Sequence, residues 1–292
     1  MTDYTGTYFT VDAVPDWLSK GVDINGVRWT MTGLTGWDEP PDARQAFTPR
    51  IAANGSFDAP VYDDTRTISW MGVLRAPDRA TREAMKLTLA SVARALRDGA
   101  DLVGHDEDGD RTVHAKRSPG WKIAPFGPLG LQYQAVVACP DPYKYGPAVT
   151  QSTGLPTRPP AGLAFPLFTT VGVLDFGLPG TTGQVTLSNP GTTEAFLTFT
   201  ITGPVLGGFN LTDVGSGRSI TYAGDVPTGG TVLIVDSATG RATLNGADRS
   251  GELTTKQWWS VPAGGSSTIQ FSTLGAAGQT GTMSASLSPT YQ

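Results

Sequence analysis

The 292-residue chain contains one cysteine, Cys139, and two histidines, His105 and His114. A single cysteine excludes a disulfide within the chain and any cysteine-based zinc site built from one copy. No Lys, Arg or His lies beside Cys139 in the sequence, so we expect a buried thiol without special reactivity. Two histidines without a carboxylate at metal-ligand spacing are weak support for a metal site. The sequence therefore predicts neither a metal nor a cofactor.

Long apolar runs are also absent. No apolar stretch approaches the roughly 18 residues that a membrane-spanning helix requires. The first residues, Met-Thr-Asp-Tyr-Thr-Gly, have neither the basic nor the apolar region of a secretory signal. We therefore expect a soluble protein that is made in the cytoplasm and has no membrane partner. The net charge of −5 argues against sequence-specific nucleic acid binding, because phosphate contacts require a basic surface.

Charge is scarce in the second half of the chain. Residues 1–146 hold 16 Lys or Arg and 19 Asp or Glu, whereas residues 147–292 hold only 12 charged residues in total. A domain with so few charges depends on hydroxyl groups for solubility or covers much of its surface with neighbouring molecules. Between the halves, residues 147–162 are rich in Pro and Gly and predict a linker. The predicted domains are thus 1–146 and 163–292.

The first half combines short strands with one helix, which predicts an α+β domain with a β-barrel-like sheet. The dipeptide Asn25-Gly26, between alternating segments, favours a hairpin with a type I′ turn. Residues 66–73 and 130–137 are further predicted strands. Apolar residues at helical spacing predict a helix over residues 77–97, with Pro77 in its first turn and Gly99 as its C-cap. These apolar residues are Met85, Leu89, Val92 and Leu96.

Two sets of charged residues in the first half can be interpreted either as functional or as structural. The basic outer residues of the helix are either a solvated face, which we favour, or a contact for an acidic partner. They are Arg82, Lys86, Arg94 and Arg97. Residues 106–110 form an acidic cluster that invites a calcium loop, but the glycine is displaced and Arg117 occupies the position of the bidentate glutamate. A hairpin tip with Asp108-Gly109 in the turn is the better prediction, and His105 and His114 could face each other across it.

The second half predicts an all-β domain. Its strands are rich in β-branched and aromatic residues and are separated each time by Gly, Asn or Pro. This spacing is typical of a β-sandwich, and no helix is predicted. The predicted strands are 185–187, 195–201, 219–222, 231–236, 241–244 and 267–271.

Short motifs follow one another in a defined order along nearly the whole chain. The first half carries Ile24-Asn-Gly26-Val-Arg-Trp29, Gly36-Trp37 and Asp141-Pro-Tyr143. The second half carries Ser188-Asn189-Pro-Gly191, Gly203-Pro204, Gly208-Phe-Asn210, Gly217, Leu233-Ile-Val-Asp236, Leu244-Asn245-Gly246, Trp258-Trp259 and Pro262-Ala-Gly264. Together these motifs resemble the distal tail proteins, a class of minor tail protein, of long-tailed, non-contractile bacteriophages. One departure is Ser266-Ser267, where the resemblance leads us to expect an asparagine.

The resemblance implies a fold and a function. It implies a virion protein that forms a hexameric ring at the tail tip of a siphovirus, with the N-terminal domain around the DNA channel. The C-terminal domain is then a galectin-like sandwich that projects outward. The ring would join the tail tube and the tape-measure protein to the tail hub, the fibres and the receptor-binding proteins of the baseplate. Its roles would be in host attachment and genome ejection, and it implies no catalytic residue.

A carbohydrate-binding module is the competing hypothesis. Trp258 and Trp259 could stack on sugar rings, but adjacent strand residues point to opposite faces, so at most one serves a given platform. We favour the interpretation that one of them packs between the sheets and the other covers an edge or contacts a neighbouring molecule. An enzyme is a weaker hypothesis still, because the chain has no nucleophile elbow, phosphate-binding loop or zinc-binding helix motif.

Overall fold

A computed structural model of the chain describes residues 6–157, 168–170, 173–174, 180–276 and 278–292. The chain divides into two compact units. Unit 1 comprises Met1–Pro147 together with Tyr291–Gln292, and unit 2 comprises Ala148–Thr290. The mainly β fold with a single α-helix, which the sequence predicted, is confirmed for the described residues.

Unit 1 is built on one large antiparallel sheet with a helix packed against it. Its strand order is β2-β1-β10-β11-β13-β9-β4-β3, and β12 pairs with β13 at an edge. The elements are β1 (Tyr8–Val11), β2 (Val14–Leu18), β3 (Gly21–Val22), β4 (Arg28–Thr35), β5 (Ala43–Arg44), β6 (Thr48–Pro49), β7 (Ser56–Phe57), β8 (Tyr62–Asp63), β9 (Arg66–Arg75), α1 (Arg79–Asp98), β10 (Ala100–Asp106), β11 (Gly109–Arg117), β12 (Lys122–Phe126), β13 (Gly130–Cys139) and β14 (Lys144–Tyr145).

The large sheet curls around its own core without closing. Phe9 on β1 and Trp70 on β9 are separated by three strands in the sheet order, yet their ring centroids lie only 5.2 Å apart. The terminal strands β2 and β3 do not pair with each other among the described residues, so the barrel-like sheet expected from the sequence is an open, curled sheet there. Cys139 is fully buried in this core, and burial raises the pKa of its thiol to about 12. The burial of this cysteine, which the sequence predicted, is therefore confirmed.

Helix α1 packs its predicted apolar face on the sheet. Met85, Leu89, Val92 and Leu96 are all buried, as their spacing predicted. The start of the helix differs from the prediction, because Pro77 precedes the helix and Asp78 is the N-cap. The carboxylate of Asp78 accepts a hydrogen bond of 2.8 Å from the Thr81 amide, which satisfies a donor that the first turn leaves unpaired.

The predicted hairpin at residues 21–29 is present, but its turn is not type I′. Gly26 has a φ of 72°, whereas Asn25 is not among the residues with positive φ. A type I′ turn requires positive φ at both central residues. The loop is organised instead by Asp23, whose carboxylate accepts from the Asn25 and Val27 amides at 2.8 and 3.0 Å. The hydrogen bonds of the Asp23 carboxylate thus stabilise this loop in a conformation other than the type I′ turn that Asn25-Gly26 predicted.

Unit 2 contains two antiparallel sheets and no α-helix among its described residues. One sheet has the order β15-β28-β19-β22-β23-β24, with β26 also paired to β19, and the other has the order β18-β27-β20-β21-β25. The elements are β15 (Val149–Gly154), β16 (Phe168–Thr170), β17 (Val173–Leu174), β18 (Gln184–Ser188), β19 (Ala195–Thr202), β20 (Phe209–Asp213), β21 (Ser219–Tyr222), β22 (Val232–Asp236), β23 (Arg241–Leu244), β24 (Ala247–Asp248), a 3-10 turn (Ser250–Glu252), β25 (Leu253–Lys256), β26 (Ser260–Val261), β27 (Ser266–Thr273) and β28 (Thr282–Leu287). The last strand, β29 (Thr290–Tyr291), lies at the boundary of the two units.

The two sheets of unit 2 form a sandwich, as predicted. Buried residues of both sheets, among them Phe199 and Val235 from one and Leu211 and Ile269 from the other, belong to one apolar core. Each of the six strands predicted from the sequence coincides with a strand of the structure to within two residues at either end. The strands β20 and β28 were not predicted, although in both of them fully buried side chains alternate with less buried ones.

Residues 149–155, which the sequence assigned to the linker, belong to unit 2. Strand β15 (Val149–Gly154) pairs along its whole length with β28 and lies at the edge of its sheet. Residues 149–153 contain neither Pro nor Gly, and an edge strand needs a partner on one side only. The Pro/Gly residues that suggested a linker therefore lie on both sides of a strand, and residues 158–162 lie outside the described residues.

Asn189 gives the motif Ser188-Asn189-Pro-Gly191 a structural role in unit 2. Its side chain is fully buried and donates to the carbonyl oxygens of Thr193 and Val261 at 2.7 and 3.1 Å. The amide oxygen accepts from the Gly191 amide at 2.9 Å. One asparagine thus joins the turn after β18 to the end of β26, and every polar atom of its amide is used.

Candidate functional site

A hairpin arm, defined here as residues 40–65, leaves unit 1 between strands β4 and β9. Within it, β5 pairs with β8 and β6 pairs with β7, in two short ladders of two residues each. At the tip, the Arg50 amide donates to the Gly55 carbonyl oxygen at 3.1 Å. Neither ladder has a third strand among the described residues. A two-stranded ribbon is marginally stable by itself in water, so the arm is suited to being covered by another molecule.

The arm carries the densest group of exposed large apolar side chains in the described part of unit 1. Ile51 at its tip is fully exposed, and the other members of the group are about half exposed. The guanidinium of Arg50 lies 5.6 Å from the centroid of the Phe57 ring. Apolar surface of this kind, bordered by charged residues, is typical of protein–protein contacts. The group consists of Phe47, Ile51, Phe57, Val61 and Tyr62.

Arg66 fixes the base of the arm. This residue begins β9, is 1% exposed, and donates to carbonyl oxygens from two separate loops. Its Nη1 atom lies 2.8 Å from the Gly36 oxygen and 2.7 Å from the Glu39 oxygen, and its Nε atom lies 2.7 Å from the Pro142 oxygen. The loop that leads into the arm is thereby hydrogen-bonded to Arg66, the residue that directly follows the arm.

Lys144 and Asp106 also belong to the base of the arm, because both form hydrogen bonds with Trp37. The Lys144 ammonium group donates 2.7 Å to the Trp37 carbonyl oxygen, and the Trp37 indole donates to the Asp106 carboxylate at 3.0 Å. Arg111 also donates to Asp106, at 3.2 Å. Burial, with the charges of Arg66 and Arg111 adding to it, lowers the pKa of Lys144 to about 8. The arm is thus a small exposed ribbon whose base is held by hydrogen bonds of buried polar residues.

A second exposed surface of unit 1 lies at strand β12. Strand β12 is an edge strand whose five residues are all exposed, and it includes the apolar Ile123 and Phe126. Beside it lies an apolar cavity of about 240 Å³, whose lining includes Leu74, Phe126 and Leu129. The unpaired backbone of this edge strand and the neighbouring apolar cavity could contact another protein chain, and together they are called the β12 surface below.

The structure separates the two candidate tryptophans, which lie between β25 and β26. Trp259 is 5% exposed, packs on Phe199 with ring centroids 5.6 Å apart, and donates from its indole to the Ser267 hydroxyl at 3.2 Å. Trp258 is half-buried, and its indole lies against Gly240 in the turn after β22. Trp259 is therefore a core residue and cannot serve as a sugar platform.

Ser267, which stands near the position where the resemblance predicted an asparagine, continues a buried polar chain. Its hydroxyl donates 2.7 Å to the carboxylate of Asp213, whose other oxygen accepts from the Ser216 amide and hydroxyl at 2.9 and 2.6 Å. Burial acts to raise the pKa of Asp213, but the hydrogen bonds from Ser216 and Ser267 outweigh it and hold the pKa below its usual value. This series of hydrogen bonds orients the Trp259 indole and closes the turn at Ser216, so its role is structural.

The histidines do not face each other. His105 Nδ1 lies 2.8 Å from Asp110 Oδ1, and His114 Nδ1 lies 2.9 Å from Asp101 Oδ1. In the register of β10 and β11, these are two separate cross-strand pairs at opposite ends of the hairpin. The predicted hairpin itself is confirmed, but its two turn residues are Glu107 and Asp108, and Gly109 begins β11 opposite Asp106. The described residues contain no group of three or more His, Cys, Asp or Glu that could hold a metal ion.

The basic face of α1 is partly neutralised by its own neighbours. Arg82 and Lys86 both pair with Glu83, and Arg97 pairs with Asp98. Glu83 and Asp98 are the only acidic residues of α1, so its five basic residues keep an excess of positive charge, and exposed pairs of this kind contribute little to stability. No helix in the described part of the chain is long and apolar enough to cross a membrane.

Comparison with known proteins supports the fold. No family model matches the chain, and no curated protein sequence matches it. Among solved structures it is similar to the Dit protein of SPP1, described as a paradigm of the hub adsorption apparatus in phages that infect Gram-positive bacteria. The identity is 13%, the TM-score is 0.64, and the match covers 98% of this chain and 99% of that chain.

A chain of the phage P2 baseplate, in its activated conformation with Ca, matches at 8% identity with a TM-score of 0.46. That match covers 96% of this chain and 97% of the other. The first of the two comparisons shows that the present chain has the Dit fold along almost its whole length. The resemblance to distal tail proteins is thereby confirmed at the level of the fold.

Proposed function

We propose that this chain is a non-enzymatic structural protein of a phage tail tip, where copies of it form an adaptor ring. The Dit fold along almost the whole chain supports the location in a virion tail. The observation that supports self-assembly is the arm, whose apolar side chains are exposed although its base is held by the hydrogen bonds of Arg66.

The arm and the β12 surface favour contacts between copies of the chain. In a ring, each subunit uses two different surfaces, one for each neighbour, and the contacts close after a fixed rotation. Unit 1 offers two such surfaces, an apolar projecting arm and an exposed edge strand beside an apolar cavity. Insertion of an arm side chain such as Phe47 into the cavity of the next copy would cover both.

We further propose that the ring has six members and surrounds a channel through which the phage DNA passes. Unit 1 forms the ring, and unit 2, a galectin-like sandwich in this proposal, lies outside it. The tail tube and the tape-measure protein lie on one side, and the tail hub with the receptor-binding proteins or fibres lies on the other. The protein is synthesised and assembled in the host cytoplasm and acts during host attachment and genome ejection.

Native mass spectrometry and negative-stain imaging of the purified full-length protein test this proposal. The wild-type protein should form a closed ring of six copies at high protein concentration. The double variant Phe47→Asp with Ile51→Asp should remain monomeric, because it places two charges in the proposed contact. Its circular dichroism spectrum should equal that of the wild type, since both side chains are exposed.

A matched control is Leu87→Asp. Leu87 is an exposed apolar residue on α1, outside both proposed contact surfaces, so this variant should still form rings. A wild-type protein that stays monomeric at high concentration and is absent from the tails of phage particles would contradict the proposal. Rings that form equally well with the arm variant would remove the arm from the contact.

A further inference from the structure

Two like charges lie side by side on the large sheet of unit 1. In the register of β4 and β9, Arg28 is directly opposite Arg75, and both side chains are exposed. Like charges directly opposite each other on neighbouring strands destabilise a sheet. No hydrogen bond or ion pair in the described part of the chain involves either guanidinium group. Within one copy, this arginine pair therefore has no anion that offsets its repulsion.

The strands around the arginine pair are free of acidic residues. Strands β4, β9, β13 and β12 are consecutive neighbours in the sheet. The chain holds 26 Asp and Glu, yet none of them belongs to these four strands. An acidic partner for the two arginines must therefore come from outside this part of the sheet.

The arginine pair also borders the apolar cavity of the β12 surface. Arg75 lines this cavity together with Leu74 and Phe126. In the register of the sheet, Arg75 lies opposite Gly130, which in turn lies opposite Phe126. Two guanidinium groups and an apolar cavity are thus neighbours on one surface. Such a surface fits a segment that presents apolar side chains next to a carboxylate.

The arm presents this combination. Phe57 and Asp58 are consecutive and both exposed, and Asp58 directly follows the end of β7. The Asp58 side chain has no hydrogen bond or ion pair in the described part of the chain. Residues 40–65 contain four Asp and two Arg, so the arm as a whole is acidic. Its charge is therefore opposite to that of the arginine pair.

The acidic tip of the β10–β11 hairpin is a poorer match. Asp106 and Asp108 both lie within ion-pair distance of Arg111, and Asp110 lies beside His105. These carboxylates already have partners in their own copy, whereas Asp58 has none.

We propose that Asp58 of one copy pairs with Arg28 and Arg75 of the next copy when the arm covers the β12 surface. This pairing rests on the proposed ring contact and adds the charges that orient it. Complementary charges fix the register of a contact and speed the encounter, which apolar area alone does not do. No hydrogen bond or ion pair joins either arginine to the arm of its own copy, so the pairing arises only on assembly.

Sedimentation equilibrium of the full-length protein tests the pairing. Self-association of the wild type should weaken as NaCl is raised from about 50 to about 500 mM, because salt screens exposed charges. A face variant, Arg28→Glu with Arg75→Glu, and an arm variant, Asp58→Lys, should each associate at least about tenfold more weakly. Each variant places like charges opposite each other in the contact.

An equimolar mixture of the face variant and the arm variant should regain association. In an alternating assembly, Asp58 of the face variant meets the two arginines of the arm variant, and the new lysine meets the two new glutamates. Every contact then joins opposite charges. Recovery requires both variants to be folded, so it separates lost pairing from misfolding.

The matched control is Arg79→Glu with Arg94→Glu, which makes the same change in charge on α1, outside both surfaces. It should associate as the wild type does. Association that resists salt and both reversals would overturn the pairing, keep the ring, and leave the arginine pair to an acidic partner other than this chain. Single variants that fail without recovery in the mixture would also overturn it. A wild type that never associates contradicts the ring and the pairing together.

Discussion

The ammonium group of Lys144 donates a hydrogen bond of 2.7 Å to the carbonyl oxygen of Trp37 and lies 5.2 Å from the centroid of the same residue's ring. A single buried cation thus contacts both the backbone and the indole of the loop that leads into the arm. The cost of burying this charge is evident from the pKa of Lys144, which is lowered from 10.5 to about 8. The base of the arm is therefore sensitive to pH in the alkaline range.

Lys144 should make the stability of unit 1 rise with pH between about 8 and 10.5. In this window the unfolded chain keeps the Lys144 proton while the folded chain has released it. The free energy of unfolding then increases by at most ~1.4 kcal/mol per pH unit. Cys139 acts in the opposite direction above pH 9, because its folded pKa is raised to about 12. The Lys144 contribution is therefore measured as a difference between wild type and variant.

The measurement is urea unfolding at a series of pH values from 7 to 10 for the wild type, Lys144→Met and Lys144→Arg. Methionine has no charge to titrate, and arginine stays charged throughout this range. The free-energy difference between wild type and either variant should change steadily with pH above 8, in favour of the wild type. Parallel stability curves for all three proteins would show that the proton of Lys144 is not released in the folded state in this window.

Arg66→Met should destabilise the protein and loosen the arm. The substitution keeps much of the apolar stem but removes donors to the carbonyl oxygens of Gly36, Glu39 and Pro142. Carbonyl groups left unpaired cost roughly 1–3 kcal/mol each where they are buried, so we expect a loss of about 3 kcal/mol or more in urea unfolding. Hydrogen exchange in residues 40–65 should accelerate more than exchange in α1, because the arm loses its anchor.

Arg75→Met is the matched control for this prediction. Arg75 ends the same strand, β9, but its side chain is exposed. Its removal should change stability by no more than about 0.5 kcal/mol and leave exchange in the arm unaltered. If both variants lose equal stability, Arg66 does not have the anchoring role that its contacts indicate.

Local sequence patterns were sufficient to predict much of the fold. The helix, the β10–β11 hairpin and the strands of unit 2 follow from side-chain periodicity and turn residues within short windows. Met85 and Leu89 are buried because they share one helical face, and this could be predicted without knowing any distant contact. The ladder between β10 and β11 depends on residues less than twenty positions apart.

The arm and its base could not be predicted in the same way. The strands β5 to β8 have two residues each, which is too short for a periodic signal. The acceptors of Arg66 lie about thirty positions before it and 76 positions after it, so nothing beside this arginine in the sequence marks it as buried. The arm could have been recognised from the mixture of apolar and turn residues in 40–65, which fits neither a core segment nor a charged loop.

The two adjacent tryptophans of unit 2 should differ sharply in their effect on stability. Their sequence context predicted one core residue and one surface residue without telling which was which, because the answer depends on how the two sheets pack. Trp259→Phe removes the indole donor to Ser267 and leaves a cavity beside Phe199, so we expect a loss of about 2 kcal/mol. Trp258→Phe should cost no more than about 1 kcal/mol, since this side chain is only half-buried.

A double-mutant cycle between Trp259→Phe and Ser267→Ala separates the hydrogen bond from the packing. Urea unfolding should give a coupling energy of about 1 kcal/mol, because either single change already breaks the indole–hydroxyl contact. The same cycle with Trp258→Phe in place of Trp259→Phe should give a coupling close to zero, because none of the hydrogen bonds found for Ser267 involves Trp258. If the two cycles gave equal coupling, the polar chain from Trp259 through Ser267 to Asp213 would not be what holds this tryptophan in the core.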